Sequence, residues 1–137
     1  MFEKCLYFNS NALARSVTKI WTKAYSEFDL SPPHAFLLRV VLAQPGLLPR
    51  ELADELKLSR STITRFLDSL EKRDLLKRKS AKGDGRELHI YPSKKALKIH
   101  KDLDETGKKL TLLLGDILGK NDLSETVEKI REIQKKL

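Results

Sequence analysis

Residues 49–73 read PRELADELKLSRSTITRFLDSLEKR, and this stretch decides the fold. Pro49 to Leu56 sets Leu52, Ala53 and Leu56 on one face of a short helix, Lys57-Leu58 follows, and Ser59 offers a fresh N-cap. A second helix then runs from Ser59 to about Arg73, with Ile63, Phe66, Leu67 and Leu70 at three-to-four spacing. Two helices separated by about three residues make a helix-turn-helix. The second helix has an outer face of a different kind. Arg60, Ser61, Thr62, Thr64, Arg65 and Asp68 are short polar or charged side chains gathered toward its N-terminal end.

Downstream, Asp74 ends the helix, and Leu75–Ser80 and Glu87–Tyr91 read as two short strands, the second alternating Leu88 and Ile90 against Glu87, His89 and Tyr91. Between them, residues 81–86 (AKGDGR) have turn composition, which predicts a hairpin with a basic tip. Upstream, Leu6, Leu13, Val17, Ile20, Trp21, Ala24 and Phe28 recur at helical spacing over residues 3–28, and Ser31-Pro32 starts a helix that reaches about Ala43. Gln44-Pro45-Gly46 stops it. Pro92-Ser93 opens a long helix from Lys94 to Leu118, weakened at Gly107 and Gly115 by about 1 kcal/mol each relative to alanine. A turn over residues 119–122 precedes a last helix capped at Ser124 or slightly earlier, with Leu123, Val127, Ile130, Ile133 and Leu137 on one side. The expected fold is mainly α with a small β-hairpin wing. A winged helix-turn-helix over residues 31–92 is flanked by an N-terminal dimerisation helix (1–30) and C-terminal dimerisation helices (93–137), all in one integrated domain.

The chain has 137 residues, 40% hydrophobic and 34% charged, enough to build a core and far from disordered composition. Its uncharged runs fall well short of the roughly 20 apolar residues a spanning helix needs. Together with a first segment that is no signal sequence and a single cysteine, Cys5, which excludes an intramolecular disulfide framework, this predicts a cytoplasmic protein. The formal charge is +8, and its placement is informative. Residues 57–101 hold 14 Lys and Arg against five Asp and Glu, a net of +9, while the rest of the chain has 13 against 14. Concentrated cations fit a polyanion, because neutralising phosphates releases condensed counterions. An acidic protein or an anionic membrane surface bound by the basic hairpin is the alternative.

In a winged helix-turn-helix the second helix enters the DNA major groove. Arg65 is the candidate base reader, since a guanidinium matches guanine O6 and N7 with two parallel hydrogen bonds. Ser61, Thr62 and Thr64 reach phosphates or bases at short range, and Arg60 is placed for the backbone. The segment from Glu51 through Leu56 and from Ser61 through Arg78, together with Asp84-Gly85-Arg86, resembles the multiple-antibiotic-resistance regulator (MarR) family of transcription factors. The resemblance implies that Arg86 enters the minor groove beside the recognition helix, that Asp84 positions it by an ion pair, and that Lys82 lies in the DNA-facing wing. It also implies an obligate homodimer that reads a pseudo-palindromic operator, generally as a repressor. Surplus apolar stripes over residues 3–28 and 94–137 supply an independent physical reason for the dimer.

Many members of that family resemble repressors released by a small aromatic acid. Trp21, Tyr25, Phe28, His34 and Phe36 are the candidate lining of such a pocket, and plain core is the competing reading of the same aromatics. A peroxide-sensing branch opens much like Cys5-Leu6-Tyr7-Phe8. Aligned on Ala12–Arg15, however, Tyr7 takes that branch's sensing position, and Asn11 and Pro32 stand where it has tyrosines. Cys5 is thus a redox candidate set against an inert small hydrophobe. His34, His89 and His100 are scattered, only His100 and Asp104 share a helical face, and no metal site is expected. No phosphate loop or nucleophile-and-base motif occurs, so neither catalysis nor a cofactor is expected.

Overall fold

The computed structural model describes residues 1–80 and 85–137, in the order α1 (Leu6–Tyr25), a 3-10 turn (Ser26–Phe28), α2 (Pro32–Ala43), α3 (Pro49–Leu56), α4 (Arg60–Lys72), β1 (Leu76–Ser80), β2 (Leu88–Pro92), α5 (Lys94–Leu118) and α6 (Lys120–Lys136). It is the mainly helical winged fold that the 49–73 stretch dictates.

The helix starts follow from local chemistry. Ser31 Oγ accepts from the His34 N–H at 3.4 Å, and Pro32 sits at the first helical position where a missing donor costs nothing. At α3 the cap residue is Leu48, whose own N–H is satisfied at 2.7 Å by the Glu51 carboxylate. Ser59 Oγ accepts from the Thr62 N–H at 3.2 Å and so opens α4. Ser59→Ala is expected to lower stability by about 1 kcal/mol, measurable as an earlier urea midpoint. Between α3 and α4, Lys57 turns the chain in the left-handed region at φ 55°.

The chain divides into two compact units, Met1–Asp104 and Glu105–Leu137. In the first, Leu37, Leu38 and Val41 of α2, Leu52 of α3, Ile63, Leu67 and Leu70 of α4, Ile90 of β2, and Leu103 form a fully buried core. The 63, 67, 70 spacing is the apolar stripe expected of α4, and it leaves Ser61, Thr64, Arg65 and Asp68 on the exposed side. In the second unit Leu110 is buried, Leu123 and Ile133 are half-buried, and most other α6 residues are exposed.

β1 and β2 pair antiparallel with Leu76 opposite Pro92 and Ser80 opposite Leu88. A third limb, absent from the sequence reading, lies alongside. Leu47 bridges Ile90 in antiparallel sense, with the Ile90 N–H donating to Leu47 O at 2.9 Å and the Gly46 N–H to Ile90 O at 2.8 Å. Gly46 makes this possible at φ 97°, where a Cβ would also press within 3.3 Å of the Tyr91 hydroxyl.

Two expectations are corrected. α6 starts at Lys120, four residues before Ser124, because Gly119 alone makes the turn at φ 90° and accepts from the Leu123 N–H at 2.9 Å. Leu88 does not share the burial of Ile90. It is 47% exposed, since the hairpin outruns the core at that end.

Candidate nucleic-acid interface

Four of the candidate DNA-facing residues on α4, Arg60, Ser61, Thr64 and Arg65, are exposed together near its start. Thr62 is different. It is half-buried, and its Oγ1 accepts from Ser59 Oγ at 2.8 Å, which draws it into the cap. Thr64 Oγ1 donates to Arg60 O at 3.0 Å and keeps its lone pairs outward. Among the described residues Arg65 makes one long contact, Nη2 to Thr62 Oγ1 at 3.5 Å, too weak to hold a guanidinium against a better partner. Arg86 is exposed at the wing. Lys82 and Asp84 lie outside the described residues.

Several cations of the basic segment have structural work that the sequence did not reveal. Arg73 donates from Nη1 to Asp29 O at 2.5 Å and from Nη2 to Phe28 O at 3.3 Å, which ties the end of α4 to the turn before α2. Arg78 of β1 pairs with Asp68 at 2.5 Å and lies 3.0 Å from Glu71, so both acidic residues of that α4 face are countered from the strand. Lys95 donates to Arg73 O at 3.0 Å, and Lys79 sits 5.7 Å over the Tyr91 ring. Part of the +9 excess therefore holds α4 and the root of the hairpin in place.

Of the candidate pocket residues, Tyr25, Phe28 and Phe36 come together. Tyr25 is fully buried, with ring centroids 6.4 Å from Phe28 and 6.2 Å, edge-on, from Phe36. Trp21 is half-buried one turn earlier on α1. Arg39, which the sequence reading passed over, organises this group. Its Nη1 donates to the Tyr25 hydroxyl at 3.2 Å, its guanidinium lies 5.6 Å from the Phe36 ring centre, and its Nε pairs with Asp104 at 3.1 Å. The other Asp104 oxygen is 3.3 Å from His100 Nε2, so the one-face spacing of these two residues serves a side-chain pair.

His34 leaves the group for α4. Its ring packs against Phe66 of α4 with centroids 4.5 Å apart and planes tilted by 60°, Nδ1 lies 2.7 Å from Ser31 Oγ, and Nε2 is buried with no hydrogen-bond partner among the described residues. Burial, and secondarily the Arg73 charge, push its pKa below the ordinary value of about 6.5. The neutral ring is the form that fits. A base whose pKa falls on folding contributes stability that is present above its unfolded pKa and lost as the pH falls toward the folded one. Stability should decline below about pH 6.5, and His34→Gln should flatten that decline in urea titrations across pH 5–7.

Cys5 is exposed at the N-cap of α1. Among the described residues no cluster of His, Cys, Asp and Glu is arranged to hold a metal, and no helix is long and apolar enough to cross a membrane.

With this geometry in place, comparison with known proteins adds the following. The MarR family model matches residues 28–87, the stretch from the turn before α2 into the wing. The HTH-type transcriptional regulator MgrA of Staphylococcus aureus is 25% identical over 106 residues, which span 77% of this chain and 72% of that protein. Among solved structures, the transcriptional repressor CouR bound to a 23-mer DNA duplex superposes with a TM-score of 0.87 at 19% identity, covering 97% of this chain and 94% of that one. The PcaV transcriptional regulator of Streptomyces coelicolor, in complex with its natural ligand, gives 0.86 at 23% identity, covering 98% and 95%.

Proposed function

We propose that this chain, which matches the MarR family model over residues 28–87, is a MarR-family transcriptional regulator: a homodimeric, sequence-specific binder of double-stranded DNA that acts as a repressor. α4 reads the major groove, with Arg65 on a guanine, Ser61, Thr62, Thr64 and Arg60 on neighbouring bases and phosphates, and Arg86 of the wing in the minor groove with Lys82 and Asp84 beside it. The observation that carries this reading is the start of α4. A serine-capped helix N-terminus presents exposed hydroxyls and two exposed arginines at one end of an otherwise packed helix, and among the described residues Arg65 makes one long side-chain contact. That combination suits a surface whose partner is a duplex.

The dimer rests on apolar surface that one chain leaves open. Leu6, Tyr7, Phe8 and Leu13 on α1 are 46–79% exposed, and Leu112, Leu113, Ile117, Val127 and Ile130 in the second unit are 45–64% exposed. Surface of that extent favours burial against a second copy. A two-fold pair presents its reading helices about 34–36 Å apart, one helical turn of DNA, so the operator should be a pseudo-palindrome. Native mass measurement of the protein with its selected operator tests this. Two chains per duplex are expected, and one chain per duplex would remove the dimer from the mechanism.

A small aromatic ligand at Tyr25, Phe28 and Phe36, with Trp21 alongside and His34 near the reading helix, is proposed as the releasing signal. PcaV, with its bound ligand, supports a ligand on this fold. The Arg39 guanidinium against Tyr25 and Phe36 gives the group a cationic centre. Oxidation of exposed Cys5 is a second candidate signal, tested by the mass of peroxide-treated protein and its operator affinity.

A further inference from the structure

β2 is fastened to the segment before and into α3 along one face. His89 Nδ1 lies 2.7 Å from Gly46 O, and two residues earlier the Glu87 carboxylate accepts from Arg50 Nη1 at 2.6 Å. Residues two apart share a face of an extended chain, and both contacts leave the second limb of the hairpin on the turn side of Ile90, next to the Leu47–Ile90 backbone bridge. The Arg50–Glu87 pair is the one nearer the hairpin turn. One residue farther on stands Arg86.

We propose that Arg50 is a positioning residue for DNA reading, acting through Glu87 to fix the stretch of backbone that presents Arg86 to the minor groove. The proposal rests on the reading of the wing given above. Its logic carries a sign that distinguishes it from simple electrostatics. A carboxylate beside a DNA-facing arginine repels phosphates, so if Glu87 were only a surface charge its removal should tighten binding. If Glu87 is the anchor of the wing, removal should loosen binding even though a negative charge has gone. The pair is exposed, with side chains 52% and 40% accessible, so folding stability depends on it little and the effect belongs in the DNA-bound state.

The test uses the full chain and an operator obtained by selection from random duplexes. Wild type, Glu87→Gln, Arg50→Gln and the exchange Arg50→Glu with Glu87→Arg are compared for affinity, hydroxyl-radical protection of the flanking minor groove, and methylation protection of guanine N7 in the major groove. Glu87→Gln and Arg50→Gln should each weaken binding roughly three- to tenfold, the size of coupling between neighbouring side chains. Both should lose minor-groove protection while guanine protection persists, and the exchange should restore it. Tighter or unchanged binding by Glu87→Gln, with the flanks still protected, would overturn the proposal and, if Arg50→Gln alone weakened binding, make Arg50 a plain phosphate contact. A wild type that leaves the flanks unprotected while protecting guanines would overturn the placement of the wing itself, and the proposal with it.

Discussion

Raising monovalent salt from about 50 to 200 mM should weaken operator binding by roughly three to five orders of magnitude, the loss typical of a protein with about 6–10 phosphate contacts. Two copies of a segment with net +9 face one duplex in the proposed complex, while the remainder of each chain is nearly neutral. Each phosphate neutralised releases counterions, and added salt opposes that release. The same change should leave the dimer almost untouched, because its proposed interface is built from Leu, Ile, Val, Phe and Tyr side chains whose burial is not screened. Fluorescence anisotropy on a labelled duplex gives the first slope, and sedimentation at the same salt concentrations gives the second. A shallow DNA slope would mean that Arg73, Arg78 and Lys95 typify the segment, with cations engaged inside the fold and few left for phosphates.

Arg65→Ala should cost about 1–3 kcal/mol on the best operator and far less on operators changed at the guanine it reads. The side chain is exposed, and its 3.5 Å contact with Thr62 is weak enough that little of the fold depends on it. The free protein should therefore keep its stability. On the duplex, the lost bidentate pair removes discrimination at one position in each half-site, whereas loss of a phosphate contact weakens every sequence alike. Competition with duplexes substituted at each position separates the two outcomes. Uniform loss across all positions would move Arg65 from base reading to backbone contact.

Much of this fold is written locally. Ser31, Glu51 and Ser59 each accept from a backbone N–H three residues away, so three helix starts depend only on neighbours in sequence. The 63, 67, 70 stripe fixes which side of α4 turns inward and hence which side chains are left exposed. At α6 the same local reasoning misplaced the start, because 119–122 has turn composition although Gly119 alone bends the chain. What was not legible depends on partners far apart in sequence. Arg39 meets Asp104 across 65 residues, Arg73 meets Asp29 across 44, and Arg50 meets Glu87 across 37. Each of these arginines reads in the sequence as one more surface cation. Only the packing of α2, α3, the end of α4, β2 and α5 brings them to their partners and separates the cations engaged inside the fold from those left at the surface.

In the proposed complex α4 and the wing, presented twice by a dimer, read specific bases. Selection from a random duplex library at about 150 mM salt, where nonspecific affinity is low, tests this most directly. The account predicts enrichment of an inverted repeat whose half-sites are centred about 10 base pairs apart, with A·T-rich flanks where the wings fall. Retention of every duplex equally, or of none while an acidic protein or anionic vesicle is bound, would contradict it.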